Sequence, residues 1–494
     1  MTRTLCISLI TGILGAVAVL WTAPAPAAEP AVTQPHTAAD WPQWRGPTRD
    51  GIAPAGPKLL DAWPEDGPRL IWKSGPIPSA VNGGSGSITV AQGKAFVLVN
   101  ARKQIITDEN QIQAVFDEVV KELSTGRDPV PAGALLKLKG KFRTYDEFAT
   151  LIQPDRDGGW GHRLQVGIIK KVFRYTDAIV CLDAATGKEL WRSEFPGIGG
   201  DEAGDMGHFG ASGTPAVVGD RIYSSGSAGL YCLSIKDGSV IWQTRTDYTH
   251  SSPLVTDHAV FVVLHEGLVA FSAQTGAKLW SVPVGGYGVF QCFAPCSSVV
   301  EWMSGGKSYL VGVANCGLYC VDPDKGKMLW QEPMAKQAEG SSTPAMDGDL
   351  AVVHGDKAVQ AYKISPEKAE LIWTAGKHAY RAASPLIYQG NVYAVTTDEI
   401  QCLDLKTGAL KWQEKSNGNY CSPILVDGKI IHNTGHAWYP IFTMMFRARA
   451  RSSRNWGCFR TTRNWTSSSR KARWRLAPLP PWPTDGSTCA VAAQ

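Results

Sequence analysis

Short apolar runs alternate with Gly- and Asp-rich turns along the middle of the chain, and one such unit recurs. In residues 179–191, IVCLDAATGKELW, an apolar strand leads through Asp and a Thr-Gly turn to a second strand that ends in Trp. Four more copies and one looser copy end in Trp at intervals of 38 to 51 residues, and residues 70–72, LIW, match the last strand alone. A period of this size predicts a propeller, a solenoid or an array.

Each repeat contains four short strands. In residues 214–244 the runs TPAVVG, RIYSS, GLYCLS and SVIWQ are separated by turns rich in Asp and Gly, which is typical of an antiparallel meander. A four-stranded sheet of this size cannot bury both faces alone, whereas radial stacking around an axis buries them. The pattern therefore predicts an all-β fold, a β-propeller of four-stranded antiparallel blades. We expect eight blades, with seven as the alternative.

The innermost strand of each blade is predicted to begin at a Ser/Thr-Pro pair, because the first residue of a strand need not donate to the ladder. The prolines are Pro215, Pro253, Pro344, Pro385 and Pro423, and Pro295 marks the same point in the fourth copy. The repeated Asp, Gly and Trp are predicted to turn a strand and to pack one blade on the next. These structural blade-docking residues are Asp183, Gly187, Trp191, Trp242, Trp280, Trp330, Trp373 and Trp412.

The first blade is interrupted by a predicted helical insertion, residues 103–176, between strands in residues 87–102 and 177–194. Apolar residues at helical spacing indicate a helix here. Thr107 or Asp108 can cap its start, and Gly126 can end it. These are Ile112, Val115, Phe116, Val119, Val120 and Leu123. Residues 144–147, TYDE, have the pattern of a capping box before a second short helix. The apolar stripe is expected to dock on the rim of the propeller, and binding of a partner is the alternative.

The N-terminus has the pattern of a secretory signal. Arg3 precedes an apolar core in residues 5–20, which is short for a membrane span. Residues 25–27 are small and fit the cleavage site of a signal peptide. Cys6 lies inside the apolar core, which argues against a lipid anchor. We predict a signal peptide in residues 1–27, a Pro/Gly-rich linker in residues 28–68 and the propeller in residues 69–443. The expected product is an exported, soluble monomer of the periplasm or cell envelope, with no integral membrane segment after cleavage.

Residues 444–494 depart from the repeat and carry the positive charge of the chain. They hold nine Arg and one Lys against one acid, Asp485, which leaves 39 basic and 43 acidic residues elsewhere. A reading-frame error is the preferred explanation of this tail, because one consistent choice of codons for residues 481–490, read one frame over, gives VADGRLYVR, the start of another blade. A basic arm for nucleic acid or membrane is the alternative. We predict a frameshift product that does not pack well, and we expect no nucleic-acid partner.

The copies DAATGKELW, DPDKGKMLW and DLKTGALKW resemble the repeat of pyrroloquinoline-quinone-like (PQQ-like) β-propellers, over about residues 70–435. Residues 41–47, WPQWRGP, look like the N-terminal signature of a subset of exported proteins with this propeller. One branch of the family is the quinoprotein dehydrogenases. Resemblance to that branch implies a quinone on the propeller axis with a Ca²⁺-type ion, and commonly a disulfide between adjacent cysteines. This chain lacks a Cys-Cys pair and a recognisable metal-binding set. It is more similar in size to cofactor-free propellers of the outer-membrane β-barrel assembly machinery, although it lacks their lipobox.

Loops that lead into the innermost strands gather near the axis on one face of a propeller and form a candidate funnel there. Candidate ligand-binding residues are Tyr248, His250, Tyr287, Glu339, His378, Tyr380, Arg381 and Tyr420, and a water-filled funnel is the alternative. Two Gly-rich loops, residues 155–162 and 199–210, contain Asp and His, but their spacing favours solvated loops over metal sites. Disulfide pairing among Cys292, Cys296, Cys316 and Cys421 is left open.

No nucleophile elbow, Walker loop, Rossmann motif or HExxH pattern occurs in the sequence, so no catalytic residue is assigned. The leading hypothesis is a non-catalytic scaffold for protein partners in the periplasm or cell envelope, with no cofactor or metal predicted. A quinone- or metal-dependent oxidoreductase is the first alternative, and PQQ is a cofactor that the residues do not support. Binding of a polysaccharide or small ligand at the axial funnel is the second alternative.

Overall fold

The computed structural model describes the repeats, two helices and three short stretches of the tail. The described residues are 40–53, 58–60, 69–77, 79, 86–124, 144, 147, 160–195, 212–227, 229–284, 296–314, 317–334, 342–354, 358–375, 383–396, 399–416, 421–434, 442–447, 457–460 and 490–493. In this part of the chain, no helix combines the length and the apolar character that a membrane crossing requires.

Seven four-stranded antiparallel sheets follow one another along the chain, and strands adjacent in sequence are adjacent in each sheet. Blade 1 contains β2 (Thr89–Ala91), β3 (Lys94–Gln104), β4 (Phe173–Asp183) and β5 (Glu189–Phe195). Blade 2 contains β6 (Ala216–Val218), β7 (Arg221–Ser225), β8 (Gly229–Ser234) and β9 (Val240–Arg245). Blade 3 contains β10 (Leu254–Val255), β11 (Ala259–Leu264), β12 (Gly267–Ser272) and β13 (Lys278–Val282). Blade 4 contains β14 (Val300–Ser304), β15 (Lys307–Ala314), β16 (Gly317–Asp322) and β17 (Lys327–Glu332).

The next three sheets have the same order. Blade 5 contains β18 (Ala345–Asp347), β19 (Leu350–His354), β20 (Val359–Ile364) and β21 (Ala369–Ala375). Blade 6 contains β22 (Leu386–Tyr388), β23 (Asn391–Val395), β24 (Glu399–Asp404) and β25 (Leu410–Lys415). Blade 7 contains β26 (Ile424–Val426), β27 (Lys429–Thr434), β28 (Phe442–Arg447) and β29 (Gly457–Arg460). The prediction of an all-β propeller with four-stranded antiparallel blades is confirmed, and the number of blades stays a prediction.

The third strand of each repeat supplies the core between blades. One position in it is occupied by cysteines that are completely buried, namely Cys181, Cys232, Cys320 and Cys402. Burial raises the pKa of the Cys181 thiol to about 12, so this thiol is a packing group and not a nucleophile. The pairing of the third and fourth strands shifts register just before the Trp, as between Cys181 and Leu182. Such a bulge increases the local twist of the outer strand.

Strand β1 (Arg69–Lys73) lies outside the seven blades and pairs antiparallel with β30 (Ala490–Ala493) at the other end of the chain. The tail, which was expected not to pack, also supplies β29 and most of β28 to blade 7. Strands pair through main-chain N–H and C=O groups, which are present whatever the side chains are. The tail can therefore pair as strands although its sequence lacks the repeat pattern. The frameshift origin of the tail stays a prediction.

The insertion in blade 1 contains two helices, α1 (Glu109–Ser124) and α2 (Trp160–Val172), beside the long hairpin of β3 and β4. Asp108 caps α1, because its Oδ1 accepts the N–H of Gln111 at 3.0 Å. The buried residues form one cluster that includes both helices and the start of β4: Ile112, Val115, Phe116, Val119, Leu164, Ile168, Ile169, Val172, Phe173 and Tyr175. The apolar stripe of α1 therefore has a partner within the insertion.

Helix α2 was not predicted from the sequence, since glycines weaken a helical pattern. Position 167 requires glycine, because a Cβ there would collide with the side chain of Val119 on α1. The glycine thus lets the two helices approach closely. At the predicted second short helix, Thr144 Oγ1 accepts the N–H of Glu147 at 3.2 Å. The other residues of this predicted helix lie outside the described part.

Candidate functional site at the propeller axis

Neighbouring blades are joined at their outer edges by a repeated tryptophan contact. Each indole N–H donates to a backbone carbonyl in the turn between the third and fourth strands of the next blade. The donor and acceptor pairs are Trp72 and Ala184 (3.0 Å), Trp191 and Ile235 (3.3 Å), Trp242 and Ala273 (3.0 Å), Trp280 and Pro323 (3.0 Å), Trp330 and Ser365 (2.8 Å), and Trp373 and Leu405 (2.8 Å). Trp72 was missed as a docking residue, although the LIW match in β1 was the signal for it.

A glycine in the same turn lies against the indole. Gly187 and Gly238 have φ of +72° and +74°, a region that favours glycine, and a Cβ on either would collide with Trp72 or Trp191. Asp183 holds the first of these turns, since its Oδ1 accepts the N–H and the hydroxyl of Thr186 at 2.8 and 2.7 Å. These residues therefore shape the contact between blades. Trp412 is buried against Tyr393 of its own blade, at a centroid distance of 6.0 Å.

At the axis, a different set of hydrogen bonds joins the blades. A Ser or Thr precedes each innermost strand, and its backbone N–H donates to the hydroxyl of the equivalent residue in the next blade. The donor and acceptor pairs are Ser87 to Thr214 (2.9 Å), Thr214 to Ser252 (3.0 Å), Ser252 to Ser298 (2.9 Å), Ser298 to Thr343 (3.0 Å), Thr343 to Ser384 (3.0 Å) and Ser384 to Ser422 (2.9 Å). We call this set the hydroxyl hoop; it connects all seven blades.

The hoop corrects the sequence interpretation of the strand starts. The Ser/Thr-Pro pairs were noticed for the proline, whereas the hydroxyl residue makes the contact between blades. In blade 4 the hoop residue is Ser298, and Val299 takes the place of the proline. Pro295 therefore does not mark the equivalent position in that blade. The recurrence of a Ser or Thr before each proline was the available signal.

Residues 40–53, which were assigned to a linker, form a strap that crosses the innermost strands. Its backbone pairs with Val90 of blade 1, accepts the N–H of Val217 of blade 2 at Pro42, and pairs with Leu425 of blade 7. Its side chains reach the carbonyls of Pro253 in blade 3 and Pro385 in blade 6. The strap therefore contacts five of the seven blades. A single segment without a repeat has no periodicity, which explains why the pattern could not reveal this role.

The strap places two arginines beside the hoop. Arg45 and Arg49 are only 5% and 4% exposed, and their guanidinium carbons lie 5.5 and 5.4 Å from the ring centroid of Trp44. Burial lowers the pKa of Arg45 to about 10, although nearby Asp50 opposes the shift. Burial and then the charge of Arg45 lower the pKa of Arg49 to about 9. This part of the axis is therefore cationic and shielded from water.

A buried carboxylate lies at the junction of blades 1 and 2. Asp177 accepts hydrogen bonds from the backbone and hydroxyl of Ser227, from the hydroxyl of Tyr231 and from the amide of Asn100, at 2.7 to 3.2 Å. Burial raises the pKa of this carboxyl, and these hydrogen bonds oppose the shift. Both carboxylate oxygens are already engaged by protein donors. Asp177 therefore clamps blade 1 to blade 2.

Two of the eight predicted funnel residues lie in the described part of the chain. The rings of Tyr248 and His250 meet edge to face at a centroid distance of 4.8 Å. Burial, followed by the nearby Cys296 and Asp177, raises the pKa of the Tyr248 hydroxyl. Tyr248 and His250 therefore stand in one polar region with the Asp177 clamp. The other six lie outside the described residues: Tyr287, Glu339, His378, Tyr380, Arg381 and Tyr420.

The remaining sequence candidates have separate outcomes. Cys421 is a free thiol and Cys296 also lies in the described part, while Cys292 and Cys316 lie outside it, so the pairing among these four cysteines stays open. The loop in residues 199–210 also lies outside them, and residues 160–162 of the other Gly-rich loop belong to the first turn of α2.

A metal-assisted quinone requires a set of oxygen ligands for its ion. In the part of the chain that the structure describes, no three His, Cys, Asp or Glu side chains come together as such a set. Asp177 is occupied by its hydrogen-bond donors, as shown above. The described residues therefore do not fit a quinone held with a metal ion.

Comparison with known proteins gives relatives of more than one kind. The family described as "Outer membrane protein assembly factor BamB" matches residues 176–414. Polyvinylalcohol dehydrogenase of Pseudomonas sp is 24% identical over 315 residues, which cover 58% of this chain and 44% of that protein. Outer membrane protein assembly factor BamB of Moranella endobia is 25% identical over 275 residues, which cover 51% of this chain and 67% of that protein.

Among solved structures, BamB from Moraxella catarrhalis aligns with 53% of this chain and 78% of that chain, at 16% identity and a TM-score of 0.41. The chain spans less than half the length of the dehydrogenase that it matches. What the family match and these relatives have in common is the repeat and not one activity. Residues 176–414 are therefore similar to the PQQ-like repeat family.

Proposed function

We propose that the protein is an exported scaffold of the periplasm or cell envelope that binds a partner protein through the helical insertion of blade 1. The observation that carries this proposal is the exposed face of α1. Its outward residues include Glu109 and Asp117 beside the cap Asp108, and also Glu118 and Glu122, which share an ion pair with Lys171. The buried face of the same helix is held by its own cluster with α2. The insertion thus presents a rigid acidic surface, which suits a partner with a basic face.

The arrangement of the axis supports the same proposal. The strap and its two buried arginines occupy the centre of the ring, where a propeller commonly holds a ligand. The exposed α1 surface lies on a rim, at the end of the β3–β4 hairpin. A BamB relative of the chain is named as an outer membrane protein assembly factor. We expect a monomer that meets its partner at this rim.

A site-specific photo-crosslinker at Asp117 tests the scaffold proposal. In an envelope extract of the producing cells, we expect one discrete adduct, which Glu109→Lys should abolish because it reverses charge on the docking face. The matched control places the crosslinker at Lys236, an exposed turn residue at the opposite end of the sheets. Adducts that are equally frequent from both positions, or that persist in Glu109→Lys, would contradict docking at α1.

The second candidate function is a quinone- or metal-dependent oxidoreductase, and the similarity to polyvinylalcohol dehydrogenase favours it. Titration of the purified chain with PQQ and Ca²⁺, followed by dye-linked alcohol oxidation, tests this alternative. We expect no stoichiometric binding, because the described residues supply no metal-binding set. Saturable binding at one equivalent that confers turnover would replace the scaffold proposal.

A further inference from the structure

The two buried arginines of the strap have hydrogen bonds but no complete charge partner. Arg45 Nη2 donates to the carbonyls of Asp50 and Pro385 at 2.7 and 2.8 Å. Arg49 donates to Gln43 Oε1 and to the carbonyls of Pro253 and Ser252, at 2.9 to 3.2 Å. Five neutral oxygens therefore surround two cations. The Nε atom of each arginine is buried and has no hydrogen-bond partner among the described residues.

Neutral oxygens do not cancel two positive charges. Asp50 is the acid that raises the pKa of Arg45, and its Oδ1 also accepts the N–H of Ile52 at 2.8 Å. The pKa of Arg49 responds to burial and to Arg45, both of which lower it. A buried charge costs several kcal/mol unless a counter-charge and hydrogen bonds compensate it. Among the described residues, Asp50 therefore offsets the charge of Arg45 in part, and no acid offsets the charge of Arg49.

We propose that the strap forms an anion site, in which the guanidinium groups of Arg45 and Arg49 bind a small oxyanion at the axis beside the hydroxyl hoop. The ligand chemistry is a phosphate, a sulfate or the carboxylate of a larger molecule. A planar guanidinium offers paired N–H groups that match the oxygens of such anions, and the unpaired Nε atoms supply the missing donors. The site is independent of the partner surface on α1 and of any catalytic role.

The site differs from the funnel that the sequence predicted. The funnel residues belong to loops of the blades, whereas Arg45 and Arg49 come from a segment outside the repeats. Trp44, which lies near both guanidinium groups, restricts their orientation. The strap therefore contributes the charge, and the blades contribute the carbonyls of Ser252, Pro253 and Pro385 that position it.

Anion titrations of the full chain test the proposal. Sodium phosphate, sulfate and acetate are compared with chloride at constant ionic strength, by calorimetry and by thermal unfolding. We expect saturable binding and a rising Tm with at least one oxyanion, because an anion bound to the folded state alone stabilises it. Acetate distinguishes a carboxylate site from a phosphate or sulfate site. If the oxyanions give the same calorimetric signal and the same Tm as chloride, the arginines need no partner beyond the carbonyls, and the proposal is overturned.

Matched variants locate the site. Arg49→Gln should weaken binding of the effective anion by about tenfold or more, since it removes a charged hydrogen-bond donor. Arg192→Gln, at a partly buried ion pair with Glu189 on the outer strand β5, should leave the affinity unchanged. Equal affinity in wild type and Arg49→Gln would place the anion elsewhere and contradict the proposal.

A second variant applies if Arg49→Gln does not fold. Arg49→Lys keeps a positive charge in the strap but removes the planar guanidinium with its paired N–H groups, so it should weaken binding of the effective anion severalfold. Equal affinity in wild type and Arg49→Lys would contradict recognition of the anion by a guanidinium.

Discussion

At the outer edge of the ring the same tryptophan contact is repeated from blade to blade, whereas at the axis the strap makes a different contact with each of five blades. The outer contact occurs six times among the described residues with the same partners, so it treats these blades as equivalent. The strap occurs once and makes them different. The comparison shows that the repeats account for the architecture, and that the non-repeated segments create the places where one ligand or one partner can bind.

Loss of a docking tryptophan is expected to have the largest effect. Trp242→Ala removes an indole that is 8% exposed and its hydrogen bond to Ala273, and should lower the free energy of unfolding by about 3–5 kcal/mol. Urea denaturation followed by circular dichroism measures the change. The control is Trp330→Ala at the less buried contact with Ser365, where we expect a smaller loss. Equal losses would show that the indole burial does not decide the strength of the outer contact.

Acid should destabilise blade 7 through His432, which lies in the strand next to the innermost one. His432 is 1% exposed, its ring nitrogens have no partner among the described residues, and burial lowers its pKa from 6.5 to about 4. The unfolded chain therefore binds the proton first. Stability is lost as the pH falls from 6.5 towards 4, by at most about 1.4 kcal/mol per pH unit.

The histidine replacement separates this effect from general acid sensitivity. His432→Leu should flatten the dependence of the urea midpoint on pH over that interval, because the titrating group is gone. His258→Gln, at an exposed position in blade 3, serves as the control and should keep the wild-type dependence. A wild-type slope that survives in His432→Leu would assign the acid sensitivity to another group.

Within the axis, one hydroxyl can be compared with another. Ser252→Ala deprives the buried N–H of Thr214 of its acceptor and should cost about 1–3 kcal/mol. Ser224→Ala should be close to neutral, since the buried hydroxyl of Ser224 has no partner among the described residues. Urea midpoints of the two variants measure the difference. Similar losses in both would mean that the hoop bond adds little beyond burial of a hydroxyl.

The turn glycines give a matched test of the outer contact. Gly238 and Gly390 have φ of +74° and +69°, so alanine strains the backbone equally at both. A Cβ at Gly238 would lie 2.5 Å from the Trp191 ring, whereas at Gly390 nothing lies within 4 Å. Gly238→Ala should therefore cost about 1–2 kcal/mol more than Gly390→Ala in urea denaturation. Indistinguishable midpoints would indicate that the indole moves aside.

The smallest effect is expected at the insertion. Lys171 lies 3.0 Å from both Glu118 and Glu122, and all three side chains are partly exposed. Lys171→Met should lower the stability by about 0.2–1 kcal/mol, because water screens surface ion pairs. Thermal unfolding at low and high salt measures it, with the exposed Lys188→Met as control. A larger loss would mean that the ion pairs hold the two helices together.

The sequence predicted the features that carry a periodic pattern and missed the features that do not. The spacing of Trp191, Trp242 and Trp280 was sufficient for the blade architecture, since each copy reinforces the same pattern. Helix α1 was predicted because its buried face has helical spacing. Helix α2 was not predicted because Gly167 weakens the helical pattern, and the use of this glycine in packing against α1 is visible only in the tertiary structure.

The candidate site was less accessible to sequence reasoning. Tyr248 and His250 were found because they precede an innermost strand, and the structure places their rings in contact. Arg45 and Arg49 were passed over, because a Pro/Gly-rich segment without period is typical of a linker. Their burial depends on carbonyls more than two hundred residues away along the chain, and no local pattern encodes such a contact.

The hydroxyl hoop has a direction, since every link runs from an amide to the hydroxyl of the following blade. Each hoop residue therefore brings one donor and one acceptor, like a unit in a head-to-tail polymer. A duplicated repeat can enter between any two neighbours without leaving an unmatched group at the axis. Gene duplication could thus lengthen such a ring one blade at a time while its inner hydrogen bonding stays complete.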